Sequence, residues 1–178
     1  MKKLSFMILF LISTLSYTQN ELKFEVFKSI IKHEIENSDN ALYLQCTKSK
    51  TYFDSQNFKQ QISFDIQTEI LQELEKNSLR SDDNFWKSKW LAAVKKKNES
   101  IKNKNCLTKK DVTKLFKRTK KRNSVLTISD PIFSDNNEYC IVSISYTMFS
   151  GSAYGNSYFL QKIHGIWKIK ASYDNWLS

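Results

Sequence analysis

The chain has 178 residues, a formal net charge of +10 and 13% aromatic residues, with only three glycines and one proline. Such a composition excludes collagen-like, low-complexity and disulfide-dense chains. A chain of this size buries about 68–70% of its unfolded surface, so it can fold without a structural metal or bridge.

The first residues read as a targeting segment. Lys2 and Lys3 precede an apolar run over 4–12, and Ser16 and Thr18 take positions −3 and −1 of a cut after Thr18. Charge, apolar run and small residues in that order form a secretory signal peptide. The run is too short for a spanning helix, which takes about 20 apolar residues. The expected organisation is therefore a signal peptide over 1–18 and one domain over 19–178. The mature chain is then secreted or periplasmic and has no transmembrane segment. A buried N-terminal helix is the competing reading. Cys46, Cys106 and Cys140 all lie in the mature part. An odd number leaves two options, one bridge with one buried thiol or three unpaired thiols packed as small apolar groups.

Four helices follow from apolar spacing. Over 20–37, Phe24, Phe27, Ile30, Ile31 and Ile35 make an amphipathic stripe, and a short strand is expected over 41–46. Ser63 is placed to cap a second helix with Ile66, Ile70, Leu71 and Leu74 as its stripe, stopping near Asn77 and Ser78. Trp86, Trp90, Leu91 and Val94 mark a third, ending in the lysines at 95–97, where cations suit the partial negative charge of the last carbonyls. The sharpest local signal is Leu107-Thr108-Lys109-Lys110-Asp111-Val112. Thr108 and Asp111 can form a capping box with Leu107 stapled on Val112, and the fourth helix is expected to run to about Asn123.

Strands dominate the remainder. Residues 125–128 read as a strand, and Asp130-Pro131 as an edge or corner, because proline cannot donate to a ladder. In 139–149, Val142, Ile144, Tyr146 and Met148 alternate with Ser143, Ser145 and Thr147, as a half-buried strand requires. A longer connection over 150–156 carries Gly151 and Gly155. His164-Gly165 then forms a two-residue hairpin turn between Ile163 and Ile166. In the last strand Trp167, Ile169, Ala171 and Tyr173 point one way and Lys168, Lys170, Ser172 and Asp174 the other. Helices first and strands last, without βαβ alternation, give an α+β domain: N-terminal helices packed on a C-terminal antiparallel sheet of about four strands.

The charge is local. Residues 95–122 hold thirteen Lys or Arg against Glu99 and Asp111, and the rest of the chain is close to neutral. Such a segment either solvates a helix face or attracts phosphates, anionic glycans or lipid head groups. Lys109, Lys110, Lys114 and Lys117 are the candidates for contact with an anionic envelope component or protein partner. Nucleic acid is the weaker partner, since export removes it from reach and no recognition motif accompanies the charge.

Familiar catalytic groupings are missing. His33 and His164 lack metal-ligand spacing, so no metal site is expected. Gly151-Ser152-Ala153-Tyr154-Gly155 puts its serine one place too early for a nucleophile elbow. Neither a phosphate-cradling glycine loop nor a C-x-x-C pair occurs, and no cofactor is expected. Aromatic residues crowd the C-terminal strands. They are core, or Tyr146, Tyr158 and Trp167 line an apolar ligand cleft.

The run DPIFSDNNEYCIVSISY, a glycine-bearing loop, YFLQKIHGIWKI and a terminal NWLS together resemble small exported bacterial proteins of unknown function with a strand meander ending in Gly-x-Trp-Lys. The resemblance covers roughly 107–178. In those proteins the loop is often richer in Gly and Cys. Gly165-Ile166-Trp167-Lys168-Ile169 is also similar to the last strands of the nuclear-transport-factor-2-like superfamily, which implies a cone-shaped α+β fold with a cavity. It implies no activity, because that fold hosts enzymes and bare binding modules alike. The leading expectation is a non-catalytic binding or interaction module. The alternative is a small pocket hydrolase or isomerase in which Tyr146, Tyr158 or Asp174 lines the cavity.

Overall fold

A computed structural model describes residues 2–37, 42–96, 101–102, 106–121, 123–148 and 152–178, with side chains from Gln19 onward apart from Lys109. Gly151, Ala41, Lys97, Glu99 and Arg122, which entered the expectations above, lie outside the described residues, and so does the Lys109 side chain.

The expected amphipathic stripe is present on α1 (Lys2–Glu36), a single helix of 35 residues. Leu22, Val26, Phe27, Ile30 and Ile31 are buried along it, and Phe24 and Ile35 pack against the same cluster. A cut after Thr18 would fall inside this helix and leave all of those contacts on the retained side. Among the described residues no helix is long and apolar enough to cross a membrane.

The chain continues into β1 (Tyr43–Leu44) and α2 (Ser55–Gln61), a helix that apolar spacing does not foretell because Phe58 is its one buried residue. Asp54 caps it by accepting from the backbone N–H groups of Gln56 and Asn57, both at 2.9 Å. α3 (Thr68–Ser78) starts four residues later than the Ser63 cap predicts, with Gln67 before it and no side-chain cap. The reason is packing: Ile62, Phe64 and Ile66 lie against the core in the connection that precedes the helix. α4 (Ser88–Lys95) buries Trp90, Leu91 and Val94, while Trp86 sits just before it. α5 (Lys109–Thr119) carries the predicted capping box in full, with Thr108 accepting from the Asp111 N–H and Asp111 accepting from the Thr108 N–H. It stops at Thr119 rather than near Asn123, because Lys120 turns left-handed with φ 55°.

The strands are β2 (Val125–Ile128), β3 (Ile132–Phe133), β4 (Tyr139–Thr147), β5 (Ala153–Ile163) and β6 (Ile166–Leu177). The α+β class stands. The sheet is larger than four strands and mixed: six strands in the order β1-β2-β4-β5-β6, with β1 parallel to β2 and all other pairs antiparallel. β3 shares the β2 edge of β4 farther along, pairing Ile132 with Ile141 and Phe133 with Cys140. Gly155 lies inside β5 rather than in a loop, and a Cβ there would collide with the Ile144 carbonyl oxygen and come within 2.9 Å of the Trp176 ring. At the β5–β6 turn both His164 (φ 50°) and Gly165 (φ 77°) are left-handed, as a tight two-residue hairpin demands.

Both faces of the sheet are covered. α1 and α4 close one face over Cys140, Val142, Ile144, Leu160 and Trp167, and α2 and α3 close the other over Ile132, Ile141, Phe159 and Tyr173. The last strand therefore departs from simple alternation. Leu160 pairs with Ile169 but Phe159 pairs with Ala171, so Lys170 is an extra residue. This bulge moves Ala171 and Tyr173 to the α2–α3 face while Trp167 and Ile169 stay under α1. A second shift lies between Gly155 and Ser157, where Asp174 has φ 57°.

Cys46 and Cys106 form a disulfide across 60 residues, and Cys140 is a buried free thiol. Backbone bonds flank the bridge: Cys46 N donates to Leu107 O and Leu107 N to Leu44 O. The chain leading into α5 is thereby held against β1. Closing a loop of this length removes roughly 4 kcal/mol of denatured-state entropy in the chain-entropy account. Thiol titration in denaturant should find one reactive cysteine without reductant and three with it. Cys46→Ser should lower unfolding free energy by about 2–5 kcal/mol in a urea titration.

Candidate functional site

Two buried carboxylates organise the polar interior. The first is Glu34, 8% exposed, on α1. Tyr146 Oη donates to its Oε2 at 2.7 Å and Tyr158 Oη to its Oε1 at 2.6 Å. Tyr146 on β4 and Tyr158 on β5 both project toward α1, so one carboxylate pins the helix to two central strands. His33 meets the Tyr158 ring edge-on at 5.3 Å, and Tyr154 stacks on Tyr146 at 5.0 Å. Burial, reinforced by the Glu34 charge, pushes the Tyr146 and Tyr158 hydroxyls well above the usual tyrosine range. Strand alternation puts Tyr146 on the apolar face with Val142 and Ile144, but nothing local reveals the carboxylate partner of the two tyrosines, which is 112 and 124 residues away.

Trp167, the third residue predicted to line a cleft, belongs to the same apolar cluster but stands apart from the tyrosine pair. Its ring lies 5.5 Å from Phe133 and under the Lys162 ammonium, and it is 4% exposed. Asp174 is on the opposite side, where its N–H donates to Gln61 Oε1 at 2.7 Å. It edges a separate groove of about 550 Å³ with Tyr52, Phe53, Glu75, Leu79 and Tyr173. Tyr146, Tyr158 and Asp174 therefore do not share one pocket.

The second buried carboxylate, Asp130, is 2% exposed. Lys23 Nζ donates to its two oxygens at 2.7 and 2.8 Å, Lys48 Nζ at 2.9 Å and the Asp82 N–H at 3.3 Å. Lys48 also bridges to Asp82 at 2.6 Å and lies 5.3 Å from the centre of the Trp86 ring. Burial works against the Asp82 charge, but Lys48 and the Asn84 N–H outweigh it and hold that carboxyl below its usual range. The backbone is tied in as well: Asp130 N donates to Ser49 O, and Ser129 Oγ accepts from the Ser143 N–H at 2.7 Å. Proline at 131 marks this corner in the sequence, as expected, but not the ionic hub beside it. Three donor groups make four hydrogen bonds to its two oxygens, so Asp130 clamps α1, the run after β1 and the α3–α4 connection together. A cleft of about 440 Å³ opens next to it, lined by Gln19, Lys23, Arg80, Phe133 and Asp135 among others.

The predicted cationic residues are on the surface. Lys110, Lys114 and Lys117 are exposed on α5, with Arg118 beside them and Lys120 and Lys121 just beyond. Lys109 starts the same helix. Positions i, i+4, i+7 and i+8 share one helix face, while Leu115 is buried on the other side. None of Lys110, Lys114, Lys117 and Arg118 forms an ion pair among the described residues. Asp111, the acid on this helix, is held below its usual range by the Thr108 hydroxyl and N–H, so its charge is engaged in the cap. Among the described residues no three His, Cys, Asp or Glu side chains gather as a metal site.

Comparison with protein families, characterised proteins and solved structures finds no match to this chain.

The tyrosine pair sets an alkaline limit. Because the folded hydroxyls titrate above the unfolded value of about 10, their contribution is present below that pH and is lost as pH rises past it. Denaturation followed from pH 8 to 12 should show stability falling from about pH 10 upward. Tyr146→Phe should cost about 2 kcal/mol at neutral pH and flatten that fall. At the other carboxylate, Lys48→Ala should cost about 3–5 kcal/mol in a urea titration, since it strips a buried charge of a partner.

Proposed function

We propose that this chain is an exported, non-catalytic interaction module that contacts an anionic envelope component or protein partner through the basic face of α5. The supporting observation is the difference between its two kinds of charge. Interior lysines Lys23 and Lys48 are consumed by Asp130 and Asp82, whereas Lys110, Lys114, Lys117 and Arg118 face solvent with no carboxylate partner among the described residues. Unneutralised cations on one face raise the local concentration of anions within about a Debye length, roughly 8 Å at physiological salt.

Export is supported by the leader-like first 18 residues and by the Cys46–Cys106 bridge, since disulfides persist in oxidising compartments. Among the described side chains, the core contacts of α1 run from Leu22 to Ile35, and a cut after Thr18 would retain all of them. The pocket-enzyme alternative gains no support, because Tyr146 and Tyr158 are committed to Glu34 and Asp174 is on the other side of the sheet.

Protein recovered from the extracytosolic fraction should have a mass corresponding to a chain that starts at Gln19; recovery of the intact leader in the cytosol would contradict export. Native envelope fractions should retain the protein at low salt and release it as salt rises. Reversal of Lys109, Lys110, Lys114 and Lys117 to Glu should abolish retention. Reversal of the exposed Lys168 and Lys170 on β6 should leave it intact. Equal loss from both sets would reject α5 as the contact surface.

A further inference from the structure

Building on that reading of α5, we infer that its partner is a linear anionic polysaccharide with a carboxylate or sulfate on successive sugars, lying lengthwise along the helix. The arrangement of the cations and the residues that accompany them both favour such a partner. With a rise of 1.5 Å per residue, Lys110, Lys114 and Lys117 are separated along the axis by about 6 and 4.5 Å, and Arg118 extends the row. Lys120 and Lys121, both exposed, follow at the left-handed cap. The result is a line of charge rather than a disc, with a step comparable to the length of one sugar ring.

Two other anionic surfaces fit less well. Adsorption to a lipid bilayer by an amphipathic helix requires apolar side chains that can enter the acyl boundary. On α5 these are turned inward: Leu115 is buried, and Val112 and Phe116 are half-buried. Single-stranded nucleic acid binds through cations interleaved with aromatic platforms on which bases stack. The exposed face of α5 carries Lys and Arg and no aromatic residue. Polysaccharide needs neither insertion nor stacking, only cations in register with its charges. The disulfide and the backbone bonds from Leu107 to Leu44 and from Cys46 to Leu107 anchor the start of α5, and with it the start of the row, on the sheet edge.

The test uses the full mature chain and four probes of matched charge: alginate or heparin fragments, vesicles containing phosphatidylglycerol, polyphosphate, and a single-stranded DNA oligonucleotide. Affinity is measured by calorimetry or anisotropy over a salt series. The polysaccharide should bind most tightly, with log K falling against log salt at a slope of roughly −3, as four released counterions give. Affinity should rise with fragment length until the row is spanned. Replacing Lys110, Lys114 and Lys117 together with Gln should weaken binding at least tenfold and reduce the slope by about 2. Lys168→Gln with Lys170→Gln should change neither. Should the triple variant fold poorly, Lys114→Gln alone still has to weaken binding severalfold. If vesicles, polyphosphate or DNA bind more tightly than polysaccharide through the same lysines, the polysaccharide assignment is overturned while the basic contact surface survives. If no probe binds, or if binding ignores these lysines, both are overturned.

Discussion

A carboxylate that has almost no contact with water cannot stay ionised alone, and the architecture answers that constraint at Asp130. Leaving a buried charge unpaired costs several kcal/mol, so its neighbours are fixed as firmly as any apolar contact. Lys23 brings α1 to it, Lys48 brings the run that follows β1, and the Asp82 N–H brings the connection between α3 and α4. These segments are up to 107 residues apart in the chain. The β2–β3 corner where Asp130 sits leaves the β4 edge at Ser129, and the Ser129 hydroxyl takes the Ser143 N–H that the departing backbone would otherwise leave unpaired. Glu34 repeats the logic on a smaller scale, with two tyrosine hydroxyls as its donors.

Around those two points the sheet separates two apolar cores. The separation is made possible by the irregularities of β6. A strand of twelve residues with strict alternation would place Trp167 and Tyr173 on one face. The extra residue at Lys170 reverses the phase, so that Trp167 serves the core under α1 and Tyr173 meets Phe53 and Phe58 under α2. One strand thus contributes large aromatic side chains to both layers.

Local signals in the sequence proved sufficient where the physics is local. The Thr108–Asp111 capping box starts α5 because cap and acid are three residues apart, and the His164-Gly165 turn needs only the flanking pair of isoleucines. The stripe of α1 is legible for the same reason. Where distant packing decides, the sequence is silent or misleading. Ser63 has the chemistry of a cap, yet the connection behind it is held against Phe159 and Leu71 and the helix begins later. The bulge at Lys170 leaves no residue signature, so alternation predicted one face for Ala171 and Tyr173 where there is another. Asp130 was visible only as the neighbour of a proline. For the candidate sites, Tyr146 is marked by its strand phase and Tyr158 only by the crowding of aromatic residues, and Glu34, which holds both, sits in a helix stripe where acids usually face water. The cations of α5 were visible outright, since a cluster of charge is a property of composition.

Charge therefore divides by location. Within the fold, lysines and carboxylates neutralise one another and serve register. On α5 the cations share one face and are unneutralised among the described residues, where their self-repulsion is a cost to the fold. The most direct measurement of that division is hydrogen exchange of the protein with and without a charged polysaccharide. Added protection confined to residues 107–121 is the expected result. Protection centred instead on Tyr146 and Tyr158, or on the cleft beside Asp130, would contradict it.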